Sequence, residues 1–263
     1  MSDITVDIED FIATVEIHRP PSNFFDQALI RDIADAFDAL DDDPNCRVIV
    51  LASEGKAFCG GANFGTGQDD GTGNDDFSEA GFQDRTGKLY QEGTRLFANK
   101  KPIVAAVQGS AIGGGLGLSL VADFRVASPA ARFGANFVKL GLHQGFGISV
   151  TLPRVIGQQA ANQMLLTGRR ISGAEALELG LVDRLVDADE LRPAARALAA
   201  EIAENAPLAV MSVRATLREG LAEAVGAATE HELKEQQWLR ATEDAYEGIR
   251  AVAERRPGNF TGQ

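Results

Sequence analysis

The stretch Lys101 to Asp123, KPIVAAVQGSAIGGGLGLSLVAD, does most to restrict what this chain can fold into. An apolar run from Ile103 to Val107 passes through Gly109 into the triplet Gly113, Gly114, Gly115 and on into Leu116, Leu118, Leu120 and Val121. The pattern reads as a buried strand, a tight turn and the start of a helix. The first amides of a helix have no partner inside it and lie at the positive end of its dipole, so a negatively charged oxygen is their natural guest.

Bulk properties narrow the guests. With 44% hydrophobic residues, the 263-residue chain has enough for a sizeable core, as one large domain or a core with an appended helical piece. A net charge of −13 without a basic block argues against nucleic acid and against an anionic membrane surface, and an anionic ligand then needs a local basic pocket. Cys46 and Cys59 form no CxxC pair and there are three histidines, which gives neither a disulfide framework nor a metal-ligand cluster. The start, MSDITVDIED, lacks a basic segment followed by an apolar one, and no apolar run approaches about 18 residues. A cytoplasmic location is the expectation.

Along the chain, Ile4 to Ile17 carries two short alternating segments that end at Pro20-Pro21, a hairpin at a sheet edge. Leu29, Ile33, Phe37 and Leu40 share one face of a helix that Asp41, Asp42, Asp43 and Pro44 stop. Arg47 to Ala52 is a nearly continuous apolar run, as in a parallel strand covered on both faces. A glycine-rich acidic segment through Asp69, Asp70, Asp75 and Asp76 has the length of a mobile loop, and those aspartates read as a solvated linker more readily than as a metal site. A helix through Tyr90 and Phe97 leads to the central strand, and Phe124 to Ala127 is another short strand.

Phe133 to Gly147, FGANFVKLGLHQGFG, is a third glycine-punctuated stretch, and three such stretches on one sheet face suggest a composite pocket. Gln158 to Thr167 reads as a helix, Ser172 to Glu175 as a capping box for a helix ending at Gly180, and Leu181 to Leu185 as a strand. From Asp189 the chain is alanine-rich and helical with breaks near Pro207 and Gly220. The division falls at 195, within a stretch near 190–206. It separates a core with the pocket, 1–195, from a helical region, 196–263, that packs on the core or on a neighbouring subunit.

Two glycine-rich turns after parallel strands, Cys59 to Asn63 and Gly113 to Gly115, aim two backbone N–H groups at one oxygen, the arrangement that acyl-transfer and enolate chemistry need. Competing readings are weaker. No GxxxxGKS or GxxxxGKT occurs, GGGLG does not supply GxGxxG, and Ser119 in GLSLV lacks the second glycine of GxSxG.

AFCGGANF, QGSAIGGGLGLSLVADFRVAS and LPRVIGQQAANQMLLTGRRISGAEALELGLVDRLV together resemble the crotonase (enoyl-CoA hydratase/isomerase) superfamily, from about Ile12 to the ERRPGNF tail. The resemblance implies an α/β fold, a spiral of ββα repeats with a C-terminal helical region that builds homotrimers or dimers of trimers. It also implies an acyl-CoA thioester substrate, with coenzyme A present only as part of that substrate and no metal or redox cofactor required. The two oxyanion donors map to the N–H groups of Ala62 and Gly114. Adenine and pantetheine contacts map to Lys56, Ala57, Phe58, Ala62 and Asn63, and the substrate-binding residues also include Gly113, Phe137 and Leu140.

The departures from the pattern bear on the reaction. Typical hydratases carry a glutamate two residues after the glycine triplet and another after the FG motif, where this chain has Gly117 and Phe137. Glycine cannot transfer a proton and phenylalanine makes that wall apolar, so the two-glutamate mechanism and its single-glutamate isomerase version are both in question. His143, in the loop where relatives place an acid, is the first candidate for a displaced acid/base. Glu92 is an alternative and Tyr90 lies on the same helix. Asp84, Arg85 and the acidic loop over 69–79 are candidates to close over the acyl group, Gln144 to orient water, while His18 and His231 receive no role. The expectation is a lyase or isomerase. Its alternatives are a non-catalytic acyl-CoA-binding protein or a CoA-thioester hydrolase.

Overall fold

The computed structural model describes residues 3–62 and 79–263. A six-stranded sheet organises it, in the order β1 (Ile4–Glu9), β2 (Ile12–Ile17), β3 (Val48–Ser53), β4 (Ile103–Val107), β6 (Phe124–Ala127), β9 (Arg184–Leu185). β1 and β2 form the expected antiparallel hairpin at one edge, and the other pairings are parallel. Every residue of β3 and β4 is buried. Alternation divides them between two faces. Ile49, Leu51, Ile103, Ala105 and Val107 join Leu29, Ile33 and Phe37 of α1 (Gln27–Asp42) in the main core. Val48, Val50, Ala52, Val104 and Ala106 face Leu191, Ala195, Leu198, Ala199 and Ala203 of α7 (Leu191–Ala203). That double cover is why these strands read as unbroken apolar runs.

β4 leads through Gly109 into β5 (Ser110–Ile112), which starts a smaller sheet with β7 (Arg132–Gly134) and β8 (Arg170–Ser172). α3 (Gly114–Val121) follows at once, and all of its residues are buried. A 3-10 helix, Asn136–Leu140, comes after β7. Next come α4 (Ile148–Ile156), α5 (Gln158–Thr167) and α6 (Gly173–Glu178). The C-terminal part is α8 (Pro207–Leu217), α9 (Leu221–Leu239) and α10 (Glu243–Ala253). α9 runs along α2 (Glu79–Ala98), and α10 packs on the 3-10 helix.

Several sequence expectations need correction. α1 continues through Asp42, two residues past Leu40, with Asp43 as its cap. The strand expected over Leu181 to Leu185 shortens to Arg184–Leu185. α4 was not expected, having Pro153 inside it and a glycine at each end. Ser172 accepts from the Glu175 N–H, but the Glu175 carboxylate pairs with Arg169 instead of returning to Ser172, so only half of the capping box forms. The division at 195 falls within α7, whose apolar face covers the sheet. No described helix is long and apolar enough to cross a membrane.

Candidate active site

The turn after β3 is fastened from two sides. Asn23, fully buried with φ 48°, donates its amide to the carbonyls of Glu54 (2.8 Å) and Ala57 (2.7 Å). The Gln108 amide donates to Ser53 O and Ala57 O, both at 2.9 Å. The chain then runs beside β5, where the Cys59 N–H donates to Ser110 O at 2.9 Å and the Ile112 N–H to Cys59 O at 3.0 Å. Glycine is required where the two main chains touch. A Cβ on Gly109 would stand 1.8 Å from Lys56 O, and one on Gly115 would stand 2.0 Å from Cys59 O. A Cβ on Gly61, at φ +82°, would lie 3.1 Å from Gly114 N. The two glycine turns are therefore laid directly against each other.

Hydrogen bonding around this contact leaves two donors spare. Gly113 N–H donates to Gly134 O at 2.8 Å, and Leu116 and Gly117 N–H both donate to Gly113 O. The Phe25 N–H takes Gly61 O at 3.0 Å in a parallel bridge between Phe25 and Ala62. Among the described residues, the N–H groups of Ala62 and Gly114 have no partner. Beside them the Cys59 thiol receives the Gly61 N–H, and full burial pushes its pKa up to about 12, which keeps it a neutral thiol.

Three buried aromatic rings wall the space. The Phe25 ring lies 2.3 Å from where a Cβ of Gly114 would be, and Phe137 lies 3.6 Å from the same position on Gly113. The Phe146 ring covers Gly117, 2.8 Å from a Cβ there. Phe25 and Phe146 have centroids 5.3 Å apart. Phe146 holds φ 63°, the left-handed region that a phenylalanine rarely adopts. Gly117 and Phe146 thus exchange volume: the ring occupies the direction a side chain at 117 would take.

The turn that carries Phe146 is clamped by α2 and α9. Gly147 precedes α4 without a side-chain cap of its own. Glu232 of α9, fully buried, supplies the cap by accepting from Gly147 N–H (2.8 Å), Ser149 N–H (3.2 Å) and Ser149 Oγ (2.6 Å). Burial pushes its carboxyl up to about 7, against the pull of those donors. Tyr90 of α2 donates to Gln236 Oε1 at 3.0 Å, and the Gln236 amide donates to His143 O at 2.9 Å. Burial, ahead of the nearby Glu232 charge, raises the Tyr90 pKa well above the ordinary phenol range, so it stays neutral.

Residues 7–263 match the family model described as enoyl-CoA hydratase/isomerase. The chain belongs to this family. It is 35% identical over 260 residues to a crotonyl-CoA hydratase of Syntrophomonas wolfei, covering 98% of this chain and 97% of that one. A similar match, 34% over 268 residues, covers 98% of this chain and 99% of an (E)-benzylidenesuccinyl-CoA hydratase of Thauera aromatica. Among solved structures, an enoyl-CoA hydratase/isomerase from Pseudoalteromonas atlantica superposes with a TM-score of 0.84 at 28% identity, over 99% of this chain and all of that one. The α/β fold expected from the resemblance is the one these family members share.

The structure distributes the other candidates unevenly. Lys56 is exposed, Ala57 is half-buried, and the Phe58 side chain lies wholly inside the core, so only its main chain faces the turn. Asn63 and the acidic segment over 69–78 lie outside the described residues. Leu140 is buried beside α10, where a Cβ on Gly248 would meet its carbonyl carbon at 2.5 Å. Glu92 is engaged by Arg95 at 2.6 Å, and Arg95 also holds Asp35 and Asp38. Asp84 pairs with Lys88. The half-buried His143 sets Nδ1 2.8 Å from Gln144 O, and its ring meets His231 edge-on at 5.8 Å. His18 bridges Thr5 and Glu54. Sequence reasoning missed Phe146 and Glu232. A phenylalanine between Gly145 and Gly147 was a signal for the first; nothing local marks the second, which is one of many glutamates on a polar-looking helix.

Proposed function

We propose that this chain is an acyl-CoA lyase or isomerase of the hydratase/isomerase type, in which the N–H groups of Ala62 and Gly114 receive the thioester oxygen. The observation that carries the reading is the apposition of Gly61 and Gly114, with a spare N–H on each side of the contact. Two fixed donors lower the energy of a thioester enolate without having to reorganise, and they acidify the adjacent carbon. Substrate chemistry fits the names of the relatives, several of which are hydratases of unsaturated CoA thioesters. Lys56, exposed at the mouth of the first turn, suits a phosphate of coenzyme A.

The wall formed by Phe25, Phe137 and Phe146 supports an atypical substrate or reaction, because among the described residues the atoms nearest a side chain at Gly113 or Gly117 belong to Phe137, Asn136 and Phe146 and not to a carboxylate. His143 is the proposed proton carrier, with Nδ1 occupied by a carbonyl and Nε2 without a partner among the described residues. Turnover of crotonyl-CoA and longer or branched enoyl-CoAs by wild type and His143→Ala tests both parts. Turnover that falls at least about 100-fold in the variant supports the assignment; unchanged turnover removes His143 from the mechanism.

A second reading, acyl-CoA binding without catalysis, draws on the Phe146 ring filling the place over Gly117. Calorimetry beside a broad thioester screen separates the two: tight binding with no turnover of any thioester favours the binder, and robust turnover or thioester hydrolysis eliminates it. The exposed apolar residues Leu208, Val213 and Leu217 on α8 suit subunit contacts in a homotrimer or dimer of trimers. Light scattering in solution checks this, and a monomeric mass contradicts it.

A further inference from the structure

The end of α3 opposite Gly114 is closed by a buried cation. All eight residues of α3 are buried, so the carbonyls of its last turn, which have no partner inside the helix, are shielded from solvent. Arg125, the second residue of β6 and 3% exposed, supplies donors to them. Its Nη1 donates to Ala122 O at 2.8 Å and to Ser119 O at 3.3 Å, its Nη2 to Asp123 O at 3.4 Å, and its Nε to Leu181 O. Arg218 adds a bond from Nη1 to Val121 O at 3.2 Å.

Charge at this end is out of balance. Among the described residues no carboxylate bonds the Arg125 guanidinium; Asp183 accepts from its main-chain N–H instead, at 2.7 Å. Asp123 is held by Arg214 at 2.8 Å and by Arg218 at 2.9 Å. Nη2 of Arg214 and both Nε and Nη2 of Arg218 are buried without an acceptor among the described residues. Three guanidiniums, of Arg125, Arg214 and Arg218, thus face two carboxylates, of Asp123 and Asp183, in a chain whose net charge is −13. Burial pulls the Arg125 pKa down, yet a guanidinium starts so high that it keeps its proton.

A cation at the C-terminus of a helix offsets the negative pole of the helix dipole. The eight residues of α3 span about 12 Å. With protein in between, at an effective dielectric constant of about 20, a unit charge at that distance changes the stability of a negative oxygen roughly tenfold.

We infer that Arg125 is a positioning residue that acts through α3, its charge strengthening the hold of the Gly114 N–H on a negatively charged thioester oxygen. The inference rests on the acyl-CoA reading above and names the source of part of that hold.

Acetoacetyl-CoA on the full chain tests it. This ligand loses a proton from the carbon between its two carbonyls, and the enolate absorbs in the near ultraviolet, so a pH titration of the bound ligand reads how well the site stabilises the negative oxygen without any turnover. Wild type should lower the pKa of the ligand below its value in free solution. Arg125→Gln, which keeps an amide donor and loses the charge, should raise it above wild type by about one pH unit, the tenfold effect. Arg125→Lys keeps the charge and should stay close to wild type. Arg125→Met takes the place of Arg125→Gln should that variant fail to fold. A purely structural anchor would lower the melting temperature of the variants without separating their titrations. A folded neutral variant that matches wild type, or Arg125→Lys displaced as far as Arg125→Gln, overturns the inference while the acyl-CoA reading stands. Failure of wild type to bind acetoacetyl-CoA, or to lower its pKa, overturns both.

Discussion

The two halves of the candidate site are built from different materials. The half proposed to donate is main chain, and it is specified by glycines at which a Cβ would run into a carbonyl oxygen at 1.8 or 2.0 Å. The facing half is side chain, where Gly117 and Phe146 exchange volume and Phe137 stands beside Gly113. A backbone contact of that closeness admits one residue type, whereas a packed wall admits any set of side chains that fills it. On the proposed reading, the main-chain half bears on the class of substrate and the packed wall on the reaction.

The sharpest way to break the contrast is Gly115→Ala. The new Cβ must push Cys59 O away, separating the two turns, and turnover of any accepted thioester should fall by about 100- to 1,000-fold with the circular dichroism spectrum kept. Near-normal turnover would mean that the apposed turns are not where the chemistry happens.

Glu232 probes what holds the wall in place. Its folded pKa of about 7 lies above the unfolded carboxylate value of about 4.3, so the folded state binds the proton more tightly. Its contribution is therefore most favourable below about pH 4 and is lost as pH rises through about 7. A neutral glutamine does not follow that course. Urea unfolding of Glu232→Gln should gain on wild type by roughly 3 kcal/mol between pH 4 and 8, whatever their difference at one pH. Parallel stability curves would contradict the account.

Gly117→Glu tests the exchange of volume. Alone it meets Phe146 at 2.8 Å and should cost about 1–3 kcal/mol; with Phe146→Ala the two changes should cost less than their sum. Additive effects would show that the ring does not compete with a side chain at 117. The smallest expected effect is Glu92→Gln, within about 0.5 kcal/mol in stability and about twofold in turnover, because Arg95 keeps Asp35 and Asp38 as partners. A large loss of turnover would return Glu92 to the list of acid/base candidates.

What could be read from the chain follows the same division. The hairpin, α1, β3, β4 and α5 were legible because their periodicity is dictated by burial on one or two faces. The turns at Gly61 and Gly113 were legible because glycine leaves a mark in the sequence wherever backbone must approach backbone. α4 was hidden by Pro153 and by a cap that comes from Glu232, 83 to 85 residues away. The absence of carboxylates at 117 and 137 was plain, but what fills the space was not, since Phe146 reaches Gly117 only through the fold.

A crystal structure with a bound, slowly reacting acyl-CoA shows whether the two amides hold the thioester oxygen. The thioester oxygen should lie about 2.7–3.1 Å from both Ala62 N and Gly114 N, with the acyl chain against Phe137 and Phe146. A thioester oxygen pointing away from either amide, or an acyl-CoA seated elsewhere on the protein, would contradict it.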